Sequence, residues 1–244
     1  MTATEPPRSD AADPPIEVGR ALGTWSVAWV AGTLIAAPAM IALLGAELGG
    51  DLTIPQLAAA SAATWTVMAA ALLVASRRFG TGEPVVDYGA TFRPIDLAGI
   101  PLGVATQLLV IPLLYVPLRG LWPDTFSNER IEERAQDLAN RAGGWLTVLL
   151  VLVVVVGAPL IEEFMYRGLL QRSVSAAVGT GIGLVSTSAW FALVHFSPVE
   201  YPGLLVAGLA FGGCVALTGR IGPAIVTHAA FNATGLVVVL QSVG

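Results

Sequence analysis

The chain consists of long hydrophobic blocks separated by shorter polar segments. Seven apolar blocks reach or approach the roughly 20 residues that an α-helix needs to cross a bilayer. They lie at 21–44, 55–75, 97–118, 145–166, 178–196, 201–218 and 222–241. The period-two alternation of a membrane β-barrel is absent from the sequence. The pattern therefore predicts an all-α fold, a polytopic transmembrane helical bundle of about seven spans, or eight if one helix is split or re-entrant.

The composition agrees with a chain embedded in lipid. Hydrophobic residues make up 55% of the sequence, the mean hydropathy is +0.75, and only 12% of residues are charged, whereas soluble domains are about one quarter charged. No basic patch interleaved with aromatics indicates a nucleic-acid partner. The single cysteine, Cys214, lies in an apolar block, which excludes a disulfide framework and a cysteine-based metal site.

The polar segments between the blocks divide the chain into four predicted regions. Residues 1–20 are rich in Pro, Asp and Glu and predict a disordered cytoplasmic tail. Residues 21–118 form an N-terminal region with three spans. Residues 119–143 form a polar loop with an amphipathic helix, either a solvated surface helix or a lid on the membrane face. Residues 144–244 form the candidate catalytic core with four spans.

The arginines that flank the spans predict the orientation. All twelve basic residues are arginines, which is typical of a bacterial, GC-rich genome. With the N-terminus inside, the inner segments carry eight of them and the outer segments four, as the positive-inside rule requires. The sequence thus predicts a multi-pass plasma-membrane protein with a cytoplasmic N-terminus. The eight inner residues are Arg8, Arg20, Arg77, Arg78, Arg93, Arg167, Arg172 and Arg220.

Two adjacent carboxylates, Glu162 and Glu163, lie at the end of the fourth apolar block. Ionisable groups at membrane depth are costly and usually functional. Glu163 and Arg167 are spaced i,i+4 in the favourable order, so this carboxylate is predicted to pair with the guanidinium. Glu162 points elsewhere on the helix and is left free to act as a general base. The alternative is a juxtamembrane charge cluster that only fixes topology.

Both histidines of the chain, His195 and His228, also fall in apolar blocks, and Asn232 follows His228 by one helical turn. Together with Glu162 they predict activation of water for attack on a carbonyl. Glu162 would take the proton and His195 would position the water. His228 and Asn232 would stabilise the oxyanion. Alternatively, Glu162, His195 and His228 would ligate a zinc ion that leaves one position open for water.

Three motifs in this order resemble the CPBP family of intramembrane proteases, which includes the CAAX prenyl proteases and the bacterial Abi or bacteriocin-processing proteins. They are Glu162-Glu163-x-x-x-Arg167, Phe191-x-x-x-His195 and His228-x-x-x-Asn232. The resemblance covers about residues 144–235. It implies an intramembrane endopeptidase acting on a membrane-associated protein or peptide. It also implies that Glu162 is the water-activating base, supported by Glu163 and Arg167. The family is described as metalloproteases, but a metal-free glutamate mechanism is also argued.

Two other functions compete with this one. The chain could be a non-proteolytic scaffold or an immunity-type protein, with a structural polar cluster. It could also be a proton-coupled transporter in which Glu162 and the histidines form a relay. The absence of an internal repeat and the grouping of the polar residues on the fourth, fifth and seventh blocks argue against transport.

The predicted spans leave one geometrical conflict. Glu162 lies near the inner end of the fourth span, whereas His195 lies near the outer end of the fifth. The two residues meet only if the fourth helix continues past Arg167, or if the fifth begins late or tilts, for which Gly179 to Gly183 is a suitable place.

Overall fold

A computed structural model describes residues 16–243, with only the backbone described for residues 128, 129, 132–135 and 243. The predicted disordered tail therefore lies outside the described residues up to position 15. Within the described chain, eight helices carry the fold. They are α1 Val18–Leu43, α2 Ile54–Phe79, α3 Pro94–Leu121, α4 Asn128–Arg141, α5 Trp145–Val178, α6 Thr180–Leu193, α7 Tyr201–Thr218 and α8 Gly222–Val243.

Six of the helices in residues 16–243 are long and apolar enough to cross a membrane, namely α1, α2, α3, α5, α7 and α8. The exception among the predicted spans is α6, which has 14 residues, fewer than the roughly 20 that a full crossing needs. The predicted all-α polytopic bundle is confirmed, and the chain is a multi-pass membrane protein. The boundaries of the four predicted regions stay predictions.

The longest helix, α5, has 34 residues, so the predicted end at residue 166 was wrong. In the sequence, Glu162, Glu163 and Arg167 interrupt the apolar block and suggest an exit from the membrane. In the structure two of them pair inside the bundle, and the helix continues to Val178. Glu162 is consequently in the middle of a helix and not at its end. This resolves the conflict between the predicted positions of Glu162 and His195.

Two segments of α5 are π-helical, namely Leu152–Gly157 and Glu163–Gln171. The first precedes Pro159, which lacks an N–H and would crowd the carbonyl one turn earlier in a regular helix. The second contains most of the buried polar residues of the helix. Short π-helical stretches are frequent at functional sites. The helix ends at Gly179, whose φ of 94° is readily adopted only by glycine.

Helix α7 packs closely on α5 and α6 through two glycines, Gly208 and Gly212. The Gly208 carbonyl accepts a hydrogen bond from Arg167 Nη2 at 3.1 Å, and the Gly212 carbonyl accepts one from Gln171 Nε2 at 2.8 Å. Gly208 and Gly212 thus form a small-xxx-small contact, which lets helices approach closely. The carbonyls of α7 thus provide acceptors inside the bundle for the Arg167 guanidinium and the Gln171 amide nitrogen.

Replacing Gly212 by Ala is expected to destabilise the fold by about 1–3 kcal/mol, the usual range for overpacking. A Cβ at this position would lie 2.6 Å from Gln171 Oε1 and 2.6 Å from Leu184 Cδ1. Gly213, the next residue of the same helix, has no such neighbour within 4 Å. Gly213→Ala is therefore the matched control and should not destabilise. Unfolding of both variants in mild detergent measures the difference, and equal stabilities would contradict the packing argument.

Helix α4 lies across one end of the bundle. Arg141, its last residue, forms an ion pair with Asp51 at 3.1 Å and donates to the Leu52 carbonyl at 3.1 Å, which ties α4 to the α1–α2 connection. Ile131 and Leu138 face inward and line a cavity of the bundle. The predicted amphipathic helix is present, and its possible role as a lid stays a prediction.

The α2–α3 connection at the opposite end is held by buried polar contacts. Asp87 accepts hydrogen bonds from the Ser76 hydroxyl and the Thr81 N–H, and Asp96 forms an ion pair with Arg220 at 2.6 Å. Tyr88 donates to the Leu72 carbonyl. Burial, together with the nearby Asp87 carboxylate, raises the pKa of the Tyr88 phenol, so this donor stays protonated.

Candidate active site

A charged cluster lies in the interior where α5 and α8 meet. Glu163, Arg167 and His228 are 0%, 1% and 4% exposed. Glu163 Oε1 accepts from Arg167 Nη1 at 3.1 Å and from His228 Nδ1 at 2.8 Å. The predicted Glu163–Arg167 pair is present, and the same oxygen also holds the histidine. Glu163 therefore fixes the ring position and leaves His228 Nε2 to face another group.

Aromatic rings enclose this cluster. The Arg167 guanidinium lies 4.6 Å from the centroid of Phe191 and 5.5 Å from that of Phe211. The His228 ring stacks on Phe211 at 4.3 Å with an interplanar angle of 16°. Cation–π contacts and the absence of bulk water strengthen the electrostatic interactions inside the cluster. Together these contacts position His228 rigidly.

Glu162 differs from its neighbour in its surroundings. Its side chain is 26% exposed, and its Oε2 lies 3.9 Å from His228 Nε2. It lines a cavity of about 450 Å³ that His195 also lines. The structure thus separates the two adjacent glutamates. Glu163 is buried and hydrogen-bonded twice, whereas Glu162 is available to a molecule in the cavity.

His195 follows the end of α6 and reaches the same cavity. Its Nδ1 lies 2.7 Å from the Phe191 carbonyl oxygen. Because a carbonyl only accepts, this contact assigns the proton to Nδ1 and leaves Nε2 as an acceptor in the neutral ring. The next residue, Phe196, has φ 51°, which is uncommon for a bulky residue and marks a strained turn. The turn directs the Phe196 ring to the cavity wall.

Asn232 lies apart from Glu162. Its Nδ2 donates to the Val154 carbonyl of α5 at 2.8 Å. The His228 ring is bound by Glu163, whereas this hydrogen bond of Asn232 is made to α5. The carbonyl it binds belongs to the first π-helical segment of α5, where a carbonyl is released from the regular helical pattern. Asn232 lines a second cavity, together with His195.

The three residues predicted as zinc ligands are Glu162, His195 and His228. In the described part of the chain, no three His, Cys, Asp or Glu residues are grouped so that they could hold a metal ion. The Nδ1 atoms of both histidines bind oxygen acceptors, which is the usual arrangement of a zinc-bound histidine and leaves both Nε2 atoms available. His228 Nε2 and Glu162 Oε2 are 3.9 Å apart, compared with roughly 3.3 Å for two ligands of one tetrahedral zinc. Zinc therefore stays a prediction, and the chemistry below assigns roles only to side chains of the chain itself.

Several residues around the site were not predicted. Gln171 follows Arg167 by four positions, just as Gly212 follows Gly208, so the two hydrogen bonds between α5 and α7 repeat with helical spacing. The shared four-residue spacing was a signal in the sequence from which the contact between α5 and α7 could have been predicted. No sequence signal predicted that tryptophans of α1 and α2 line the Glu162 cavity, because their contacts with α5 join distant parts of the chain.

The fold and this cluster define a class: a multi-pass helical membrane protein with a carboxylate and a histidine facing a cavity among its helices. Residues 144–234 match the sequence model of the Rce1-like family, described as type II CAAX prenyl endopeptidase Rce1-like. The match confirms the resemblance to the CPBP family over this segment and supports a CAAX-type intramembrane protease in general. Helices α1 to α4 lie outside it. No curated protein and no solved structure matches the chain significantly.

Proposed function

We propose that this chain is an intramembrane endopeptidase that hydrolyses a peptide bond of a membrane-associated protein or peptide. The observation that carries the proposal is the different placement of the two adjacent glutamates. Glu163 is completely buried by its ties to Arg167 and His228, whereas Glu162 faces a cavity with His195. A free carboxylate beside a fixed imidazole suits general-base activation of water.

In the proposed reaction, Glu162 takes a proton from a water molecule that His195 Nε2 helps to position. The water oxygen attacks the peptide carbonyl carbon and forms a C–O bond, while the π electron pair of the C=O bond moves to the carbonyl oxygen. Glu162 then returns the proton to the amide nitrogen as the C–N bond breaks, which releases a carboxylic acid and an amine. His228 and Asn232 are the proposed donors to the oxyanion. Asn232 would use the second hydrogen of Nδ2, whose first is bound to Val154, and His228 would use Nε2, which requires a hydrogen on both ring nitrogens because Nδ1 donates to Glu163. Arg167 acts through Glu163 and is a positioning residue.

The substrate is proposed to be a peptide precursor or another membrane protein, since the all-arginine composition favours a bacterial source, in which prenylated proteins are not expected. The proposed location is the plasma membrane with the N-terminus in the cytoplasm. Arg167 is buried inside the bundle, and without it the inner segments still carry seven of the predicted eight arginines, against four in the outer segments. A cysteine-scanning experiment with a membrane-impermeant thiol reagent, in a Cys214→Ser background, would test the orientation.

The experiment that tests the proposed function compares protein N-termini in membranes and medium from cells that express the wild type or Glu162→Gln. We expect N-termini that appear only with the wild-type chain, and these would also name the substrate. Equal abundance of both proteins in the membrane is the required control. Identical sets of N-termini from equally abundant proteins would contradict proteolysis and favour the scaffold or immunity-type function.

A further inference from the structure

Two cavities lie next to each other in the bundle. The first, here called the carboxylate cavity, has a volume of about 450 Å³ and contains Glu162 in its wall. Rings from α1 and α2 form much of the remaining wall. These are Trp25, Trp29 and Trp65, joined by Met68 and by Phe196.

The second, here called the amide cavity, has a volume of about 460 Å³ and contains Asn232 in its wall. Its other lining residues are mostly apolar and come from α3, α4, α5, α7 and α8. They include Ile111, Tyr115, Leu138, Leu150, Leu204 and Phe231. Both volumes lie in the usual range for ligand pockets, roughly 300–1,000 Å³.

His195 lines both cavities, whereas Glu162 lines only the carboxylate cavity and Asn232 only the amide cavity. The imidazole therefore forms part of the wall that separates them. Its position is fixed by the bond from Nδ1 to the Phe191 carbonyl. The loop that follows His195 is also held, because the Tyr115 hydroxyl donates to the Val199 carbonyl at 2.7 Å. The wall between the two cavities is thus held in place by hydrogen bonds on both sides of His195.

We propose that the substrate peptide lies across His195, with a side chain from one side of the scissile bond in the carboxylate cavity and one from the other side in the amide cavity. This inference rests on the proposed function. A carbonyl attacked by water at Glu162 and His195 must lie beside the imidazole, and the chain continues from it in both directions. The apolar walls select large apolar side chains on both sides.

The inference assigns specificity to helices outside residues 144–234. The tryptophans belong to α1 and α2, and Ile111 and Tyr115 belong to α3. Trp65 is held in place because its ring lies against Gly157 of α5, where a Cβ would overlap it. The first three helices would then determine which bond is cleaved, while α5, α6 and α8 carry out the cleavage.

The test uses Trp65→Leu to enlarge the carboxylate cavity and Ile111→Ala to enlarge the amide cavity. The matched controls are Trp145→Leu and Leu113→Ala, which change side chains that are 66% and 69% exposed. Sequences on both sides of each Glu162-dependent cut are read from the protein termini of membranes. For purified variants, relative rates are measured on peptides that differ only at the positions flanking the cut.

We expect Trp65→Leu to change the residue preference on one side of the cut and Ile111→Ala on the other. The preference should change by about 10-fold or more, because one methylene in an apolar pocket already discriminates by roughly 10–200-fold. Neither control should change it. Thermal unfolding in detergent checks that the variants fold. If Trp65→Leu does not fold, Trp65→Phe takes its place, and if Ile111→Ala does not fold, Ile111→Val takes its place.

Three results would overturn the inference. Glu162-dependent cuts with unchanged preferences in both variants would mean that the cavities do not hold substrate side chains. Changes on the same side in both variants would mean that the cavities serve one subsite. If the variants lose a co-purified lipid while the residue preference at the cut stays unchanged, the two cavities are lipid-binding sites. If the wild type itself produces no Glu162-dependent cuts, the proposed function fails instead, and this result is distinguishable from the other three.

Discussion

Glu162→Gln is expected to reduce the rate of peptide cleavage by about 10²–10⁴-fold, the usual contribution of a general base. The amide keeps the size of the carboxylate and can still accept a hydrogen bond, but it cannot take a proton from water at neutral pH. The effect should appear in kcat, with little change in KM, since the carboxylate acts on the reacting water. Steady-state kinetics on the substrate identified from the membrane N-termini measures it.

Two comparisons make this result specific. Glu47→Gln removes a carboxylate from an exposed loop and should leave the rate unchanged. The unfolding temperature of Glu162→Gln should stay close to that of the wild type, because Glu162 is partly exposed and its contact with His228 Nε2 is long, at 3.9 Å. If Glu162→Gln retained full activity in a folded protein, Glu162 would not be the base.

Arg167→Met is expected to destabilise the protein by about 3–5 kcal/mol, the range for removing one partner of a buried ion pair. The methionine fills much of the same space, but it leaves the Glu163 carboxylate charged and without its guanidinium. It also removes the donor to the Gly208 carbonyl and the cation that lies over Phe191 and Phe211. Reversible unfolding in mixed detergent micelles gives the change in free energy.

The double variant Glu163→Gln with Arg167→Met is the informative control. Removing both charges leaves no uncompensated ion, so the double variant should be more stable than Arg167→Met alone. Arg78→Met, at an exposed arginine at the end of α2, should have little effect. If the double variant were less stable than the single one by the full cost of Glu163→Gln, the two residues would not be coupled and the buried pair would carry no stabilisation.

The order of the helices could be predicted because each apolar block reports its own length and position. The interaction of Glu163 with Arg167 could be predicted for a similar reason, since residues four apart share a helix face whatever surrounds them. The end of α5 could not be predicted, because the same charged residues would occur in the sequence whether the helix leaves the membrane there or the residues pair inside the bundle. Only the partners Gly208 and His228, from α7 and α8, distinguish the two cases.

The same limit applies to the site. The motifs around Glu162, His195 and His228 are local patterns, and the sequence by itself determined which residues are candidates and to which family residues 144–234 are related. The tertiary structure decided that Glu163 binds His228, that Glu162 faces a cavity with tryptophans of α1 and α2, and that His195 separates two cavities. These features depend on contacts between helices far apart in the chain, and such contacts leave no periodic trace in a single sequence.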